Sequence, residues 1–379
     1  MAITRRDLLV QLMGGVAAGA AVMPRNAVMS GAMSKMAAGA GISGPVHLDR
    51  NENAYGASEK AIAAIRESAS QANRYPEPTG ALREALASQH VVDAEQIVVG
   101  CGSSEVLRMA ATAFLSQGKK LILASPTFEL IRRYAQARKA TVVEVRLRKN
   151  YSHDLNAILE VARKGSGLVY LCNPNNPTGT LTERKEFEAF LGNLPPTFHA
   201  VIDEAYHHYA GGSGAYTSFI ERPVDNPRVI VVRTFSKAYG LAGVRVGYAV
   251  TSAETAKKVG ADRLPFGLNR AGVMAAIAAL GDPQYIDECT RRNADDRQEF
   301  FNQVNARMLR ALDSHTNFVC LNVMRPAVQI LEHYRKYNFL LAPLIPEMPT
   351  YLRISLGKPE EMHEFWRVWD LLGPHHMSM

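Results

Sequence analysis

Six short apolar runs, separated by amphipathic stretches, constrain the fold of this chain more than any other feature. They are Ile97-Val98-Val99, Leu121-Ile122-Leu123, Thr141-Val142-Val143, Leu168-Val169-Tyr170-Leu171, Ala200-Val201-Ile202 and Val229-Ile230-Val231-Val232. Between them, stretches such as Glu105 to Phe114 and Thr182 to Leu191 carry helical spacing. Strands that are apolar nearly throughout are buried on both faces, and parallel strands need crossover helices to connect them. The expectation is therefore an α/β fold with a mostly parallel, mixed sheet covered by helices. Such sheets bind ligands beyond the carboxyl ends of their strands. Asp203, Lys237 and the turn at Gly100 all fall at expected strand ends, so topology alone would gather them.

After about Pro265 the pattern changes. Leu268 to Leu280 and Asp282 to Leu312 read as helices, followed by strands near Phe318 to Leu321 and Leu352 to Ser355. A last helix is expected from Pro359 to Leu372, with proline in its first turn, where the missing amide hydrogen costs nothing. The chain thus divides into a leader (1–45), a segment of the small domain or dimer arm (46–75), a large domain (76–265) and a smaller α+β domain (266–379). No internal repeat is evident.

The leader has its own logic. Arg5-Arg6 precedes an apolar, Gly/Ala-rich run from Leu8 to Val22, too short to span a membrane comfortably but suited to a signal-peptide core. The pair resembles a twin-arginine export signal, a route that carries folded proteins. The expected location is therefore periplasmic or otherwise outside the cytoplasm, with no stable membrane anchor after cleavage; a cytoplasmic location is the alternative. Ala18-Gly19-Ala20 and Ala38-Gly39-Ala40 both have the form of a cleavage site, and residues 24–44 are expected to be disordered. The net charge of +7 is modest for 379 residues and shows no basic runs, which argues against a nucleic-acid surface. Cys101, Cys172, Cys289 and Cys320 form no C-x-x-C pair, so neither a disulfide framework nor a metal site is expected.

Five segments carry chemistry. Thr234-Phe235-Ser236-Lys237 follows a buried strand, and Arg245 stands where the next strand begins. A lysine desolvated at the mouth of a sheet loses its charge and becomes a nucleophile toward carbonyls. With hydroxyls and an arginine nearby to hold a phosphate, the segment suggests a Schiff-base lysine for a phosphorylated aldehyde, pyridoxal phosphate; the plain alternative is a surface lysine on a Gly-rich turn. Gly100-Cys101-Gly102-Ser103-Ser104-Glu105 opens a helix whose amides suit an anion, though ordinary capping explains it equally. Asn173-Pro174-Asn175-Asn176-Pro177-Thr178-Gly179 forms a rigid loop able to hold the amide of Asn176 in place. Asp203-Glu204-Ala205-Tyr206 ends the next strand with a carboxylate fit to pair with a pyridine nitrogen and a phenol three residues on. Near the C-terminus, Arg353 sits inside the apolar strand Tyr351-Leu352-Arg353-Ile354-Ser355. It requires an anion, either a substrate carboxylate or an internal partner.

In this order the motifs resemble the class I/II aminotransferases of fold type I, and within them the histidinol-phosphate aminotransferase branch. Leu48-Asp49-Arg50-Asn51-Glu52-Asn53-Ala54-Tyr55-Gly56 and Arg74-Tyr75-Pro76-Glu77-Pro78 are similar to that branch's N-terminal signatures, so the likeness spans residues 46–372. The resemblance implies a fold type I pyridoxal-phosphate transferase. Lys237 would hold the cofactor and shuttle the proton, Asp203 would pair with the ring nitrogen, and Asn176 and Tyr206 would bond the ring oxygen. Gly102, Ser103, Ser104, Ser236 and Arg245 would hold the phosphate, with Tyr75 donated by the partner of an obligate homodimer with shared sites. Phe128 would stack on the ring, while Arg353, Asn176 and Tyr55 would bind substrate.

One departure bears on that substrate. Leu340-Leu341-Ala342-Pro343 replaces a Val-Arg pair whose arginine commonly serves phosphate-bearing substrates, so the expected amino donor is aromatic or basic rather than histidinol phosphate. The side-chain specificity is expected in the loops around Asn53 to Tyr55, 207–216 and Leu340 to Met348. The function implied is transfer of an amino group from an amino acid to a 2-oxo acid. A lyase, cyclase, racemase or oxidase of amino acids on the same scaffold is the alternative, because the cofactor-binding residues are common to all.

Overall fold

The computed structural model describes residues 44–76 and 79–372. The expectations for the leader, including Arg5-Arg6 and both cleavage sites, lie outside the described residues. The described chain opens with strand β1 (Val46–Leu48) and helices over Glu59–Ala69 and Gly80–His90. The large sheet then takes β2 (Ile97–Cys101), β3 (Lys120–Ser125), β4 (Thr141–Arg146), β5 (Gly167–Cys172), β6 (Phe198–Asp203), β7 (Val229–Thr234) and β8 (Val246–Val250). Their order is β2-β8-β7-β6-β5-β3-β4. The ladders from β4 through β3, β5 and β6 to β7 are parallel, and β8 runs antiparallel to both neighbours. Each apolar run of the sequence is one of these strands.

Alternation along the strands separates two apolar layers. On β5, Val169 and Leu171 pack under the helices over Leu155–Ala162 and Arg184–Asn193, whereas Leu168, Tyr170 and Cys172 face the helix over Gly102–Phe114. Every residue of β5 and β7 is buried. Removing each such apolar side chain from water contributes about 1.5–3 kcal/mol, which offsets the conformational entropy of a long buried sheet.

The remaining strands form two small sheets. β9 (Arg310–Ala311) and β10 (Phe318–Asn322) pair antiparallel, β11 (Phe339–Leu341) pairs parallel with β1, and β12 (Tyr351–Ser355) pairs antiparallel with β10. The helix expected over Asp282 to Leu312 is shorter, Pro283–Ala306. It stops because Met308 turns left-handed at φ 53°. Met308 N–H then donates to the Asn305 carbonyl and Leu309 N–H to that of Val304, an end usually built on glycine. The last helix closes at Asp370. Among the described residues no helix is long and apolar enough to cross a membrane.

Candidate active site

At the carboxyl ends of β5, β6 and β7 lies a cavity of about 470 Å³, within the range that holds a small cofactor and substrate. Ser103, Ser104, Phe128, Asn176, Asp203, Tyr206, Ser236, Lys237, Arg245 and Arg353 all line it, together with Asp49 to Glu52, Cys172, Ala205, Thr234 and Ala242. Residues separated by up to 304 positions are brought together by hydrogen bonds here.

Asp203 ends β6 fully buried, with both oxygens engaged. Oδ2 accepts from the Tyr170 hydroxyl at 2.8 Å, and Oδ1 accepts from the Ala205 N–H at 3.1 Å. Burial disfavours its charge and lifts the carboxyl to about 6, although the two donors pull the other way. The Tyr206 hydroxyl accepts from Asn51 Nδ2 at 2.9 Å and Asn176 Nδ2 at 3.4 Å. Burial holds its phenol above the ordinary range.

Lys237 Nζ donates to the backbone carbonyls of Arg50 at 3.0 Å and Asn51 at 2.8 Å. Burial, with the positive charge of Arg353 second, lowers its amine to about 7. A lysine so depressed is substantially neutral at neutral pH and carries a free lone pair. Asn51 accounts for its position: it is buried, adopts φ 53°, and its backbone N–H donates to the Ser355 hydroxyl oxygen at 2.8 Å. Asparagine tolerates that left-handed backbone better than most residues.

At the other end of the cavity Arg245 Nη1 donates to Ser236 Oγ at 3.2 Å, and Thr234 Oγ1 donates to the same oxygen at 2.9 Å. Ser103 and Ser104 lie in the first turn of the helix over Gly102–Phe114, where backbone amides are free for an anion. This crowding requires glycine. A Cβ on Gly247 would stand 2.1 Å from the Ser103 nitrogen, and one on Gly102 would meet the Arg245 guanidinium.

Arg353 projects from β12 and donates to Asn176 Oδ1 and to the Asp49 carbonyl, each at 2.7 Å. Its Nε is buried with no partner. Among the described residues no carboxylate side chain pairs with it directly; its acceptors are an amide oxygen and a backbone carbonyl, so the internal ion pair is not formed there.

A family model for aminotransferase class I and II matches residues 43–368. The chain belongs to this family. A histidinol-phosphate aminotransferase of Bacillus licheniformis is 36% identical over 84% of this chain and 89% of its own length. One from Staphylococcus carnosus is 37% identical over 83% of this chain and 87% of its own. Among solved structures, the histidinol-phosphate aminotransferase of Sinorhizobium meliloti, in complex with pyridoxal-5'-phosphate, is 28% identical, with a TM-score of 0.81 over 98% of this chain and 99% of that one.

Three of the residues expected at the site of this aminotransferase, Tyr75 (expected from a partner chain), Tyr55 and Gly102, do not line the cavity of the single chain. Tyr75 is 77% exposed and packs its ring on Phe266 at 4.7 Å. Tyr55 donates to Asp296 Oδ2 at 2.9 Å on the helix over Pro283–Ala306, under the Arg292 guanidinium. Gly102 contributes its lack of a side chain rather than a contact. Asn51, Tyr170, Ser355 and Asn317 were not expected as site residues. Asn317 Nδ2 donates to the carbonyls of Asn51 and Glu52, bracing the segment that receives Lys237. Asn51 lay inside a quoted motif, and an asparagine between charged residues was its signal. Tyr170 was hidden in an apolar run.

Proposed function

We propose that this protein is an exported, homodimeric aminotransferase that passes the amino group of an aromatic or basic amino acid to a 2-oxo acid. It is a pyridoxal-phosphate-dependent aminotransferase. The observation that carries the reading is the meeting, in one cavity, of the depressed Lys237 amine, the buried Asp203 carboxylate and the Arg353 guanidinium with its buried unpaired Nε.

The donor set fits the cofactor. Ser103, Ser104, Ser236 and Arg245 would hold the phosphate, around a helix start that Gly102 and Gly247 leave open. Asp203 would meet the ring nitrogen, Asn176 and Tyr206 the ring oxygen, and Phe128 the ring face. Bound there, pyridoxal phosphate supplies an electron sink for charge developing at the substrate's α-carbon. Lys237 would hold the cofactor through its amine and would serve as the base that moves the substrate's α-proton. Arg353 orients the substrate by its carboxylate through a planar, two-pronged contact.

Three finer points rest on narrower support. For the donor, Ala342 is buried where the resemblance to the histidinol-phosphate aminotransferase branch implies an arginine for a phosphate-bearing substrate. The neighbouring space of about 480 Å³ shares Phe128, Asn176 and Arg353 with the cavity and is lined by Leu130, Leu344, Ile345 and Pro346, with Glu129 and Glu347 outnumbering Arg133 among its further charged groups. Apolar walls with carboxylates suit an aromatic or cationic side chain. For the dimer, exposed Tyr75, Leu264 and Phe266 are apolar surface suited to a second copy. For export, the support is Arg5-Arg6 before the apolar run. Replacing both arginines by lysine should leave the protein in the cytoplasmic fraction; unchanged export would overturn that route.

The test of the reaction is an absorbance titration of purified protein loaded with pyridoxal phosphate, adding amino acids singly with no acceptor. An aminotransferase converts its cofactor to the amine form with one donor and stops. Continued product release without a 2-oxo acid would instead mark a lyase, cyclase, racemase or oxidase.

A further inference from the structure

Tyr170 stands one pleat below the cavity on β5 and reaches its floor. The β5–β6 ladder pairs Cys172 with Asp203 and Tyr170 with Val201. Side chains two residues apart on a strand share a face, so Tyr170 and Asp203 are diagonal neighbours on the face covered by the helix over Gly102–Phe114. A diagonal pair is too distant for short side chains but within reach of a tyrosine. The phenol is fully buried and its hydroxyl donates to Asp203 Oδ2 at 2.8 Å. A phenylalanine would fill the same apolar space, so the hydroxyl is the one group there whose purpose packing does not explain.

We propose that Tyr170 is a positioning residue for the cofactor: by donating to Oδ2 it locks the Asp203 carboxylate in one rotamer and keeps it ionised, so that it can hold a protonated ring nitrogen. This rests on the aminotransferase reading above. Two donors fix the carboxylate from opposite sides, the Ala205 N–H on Oδ1 and the Tyr170 hydroxyl on Oδ2. Each oxygen keeps a lone pair for a third partner. The other groups facing Asp203 are Cys172 from β5, Glu204 beside it, Tyr206 after the turn and Lys237 from the loop after β7. Glu204 opposes its ionisation and Lys237 favours it, and burial opposes it most. The tyrosine hydroxyl is therefore the main protein group sustaining the charge. Loss of a donor to a buried anion raises its pKa, so without Tyr170 the carboxylate would take up a proton at higher pH.

The experiment compares pyridoxal phosphate binding by wild type, Tyr170→Phe, Asp203→Asn and the double variant from about pH 6 to 9, following cofactor absorbance and the melting temperature of the cofactor-free proteins. Tyr170→Phe should weaken binding roughly tenfold near pH 7 and move the acid limb of the binding curve up by about one unit. In the Asp203→Asn background the same change should alter affinity less than about twofold, because no carboxylate remains to be positioned. Placing a difluorotyrosine at 170 strengthens the donor at constant shape and should move the acid limb down, which gives a reading even where Tyr170→Phe folds poorly. Equal weakening in both backgrounds, or a Tyr170→Phe protein that binds as wild type does at every pH, would overturn the proposal. If wild type itself fails to bind pyridoxal phosphate, the aminotransferase reading falls instead.

Discussion

At the scale of single residues, Lys237 and Arg353 govern the chemistry through burial. Burial lowers the lysine amine to about 7, so it is a free amine above that pH and an ammonium below it. Capture of pyridoxal phosphate by the cofactor-free protein should therefore slow as pH falls through about 7, the protonated form having no lone pair to offer. Stopped-flow absorbance measures this, and a rate flat between about pH 6 and 8 would count against the depressed amine. Lys237→Ala should abolish turnover and remove the lysine-linked absorbance while leaving the fold intact. For Arg353→Lys, a point charge replaces a planar fork. kcat/KM for amino acids should drop roughly 10–100-fold, the loss of one or two charge-assisted hydrogen bonds, with cofactor affinity changed little. A parallel loss of cofactor would mean that Arg353 serves the cavity's architecture rather than the substrate. The Tyr55 hydroxyl, expected at the substrate, donates in this chain to Asp296, 241 positions away.

Individual elements succeed where the local pattern and the packing agree. β5, β6 and β7 were legible because a parallel strand covered on both faces must be apolar throughout. The end of the helix at Ala306 was not, because methionine rather than glycine occupies the left-handed position at 308. Two elements support the cavity from below. The close approach of β8 to the helix over Gly102–Phe114 makes Gly247→Ala a sensitive probe: its Cβ would collide with the Ser103 backbone. That variant should lose at least tenfold in cofactor affinity, because the amides that face the phosphate would shift. Binding at wild-type affinity would remove that helix start from the phosphate site. At the end of β6 the next residue after Asp203, Glu204, receives Arg233 Nε at 3.1 Å, the Ser218 hydroxyl at 2.6 Å and the Phe219 N–H at 2.8 Å, all buried. Glu204→Ala would leave the buried Arg233 charge with only the longer, solvent-exposed contact to Glu221 at 3.4 Å and should cost about 3 kcal/mol in urea denaturation. A cost under about 1 kcal/mol would mean that the pair is dispensable.

For the whole molecule, the decisive question is whether two chains share their sites. If Tyr75 completes a partner's cavity, mixing inactive Lys237→Ala and Tyr75→Ala proteins under exchange conditions should restore about a quarter of wild-type activity, since half the dimers would be hybrids with one intact site of two. Absence of recovery, with hybrids verified by mass, would place Tyr75 outside catalysis. The fold class and a site at the carboxyl ends of the strands were determined by the sequence alone, because apolar periodicity and turn residues act over short spans, and the order of the motifs, through the family resemblance they carry, named residues such as Ser103, Phe128, Asp203 and Lys237 that line the cavity. Only the tertiary structure decided that Asn51 and Arg50 receive Lys237 across more than 180 positions, that Tyr170 anchors Asp203, and that Arg353 keeps a buried Nε without a partner. Those facts depend on burial and on contacts between distant segments, and a pKa or an unsatisfied donor does not exist until the chain has closed around it.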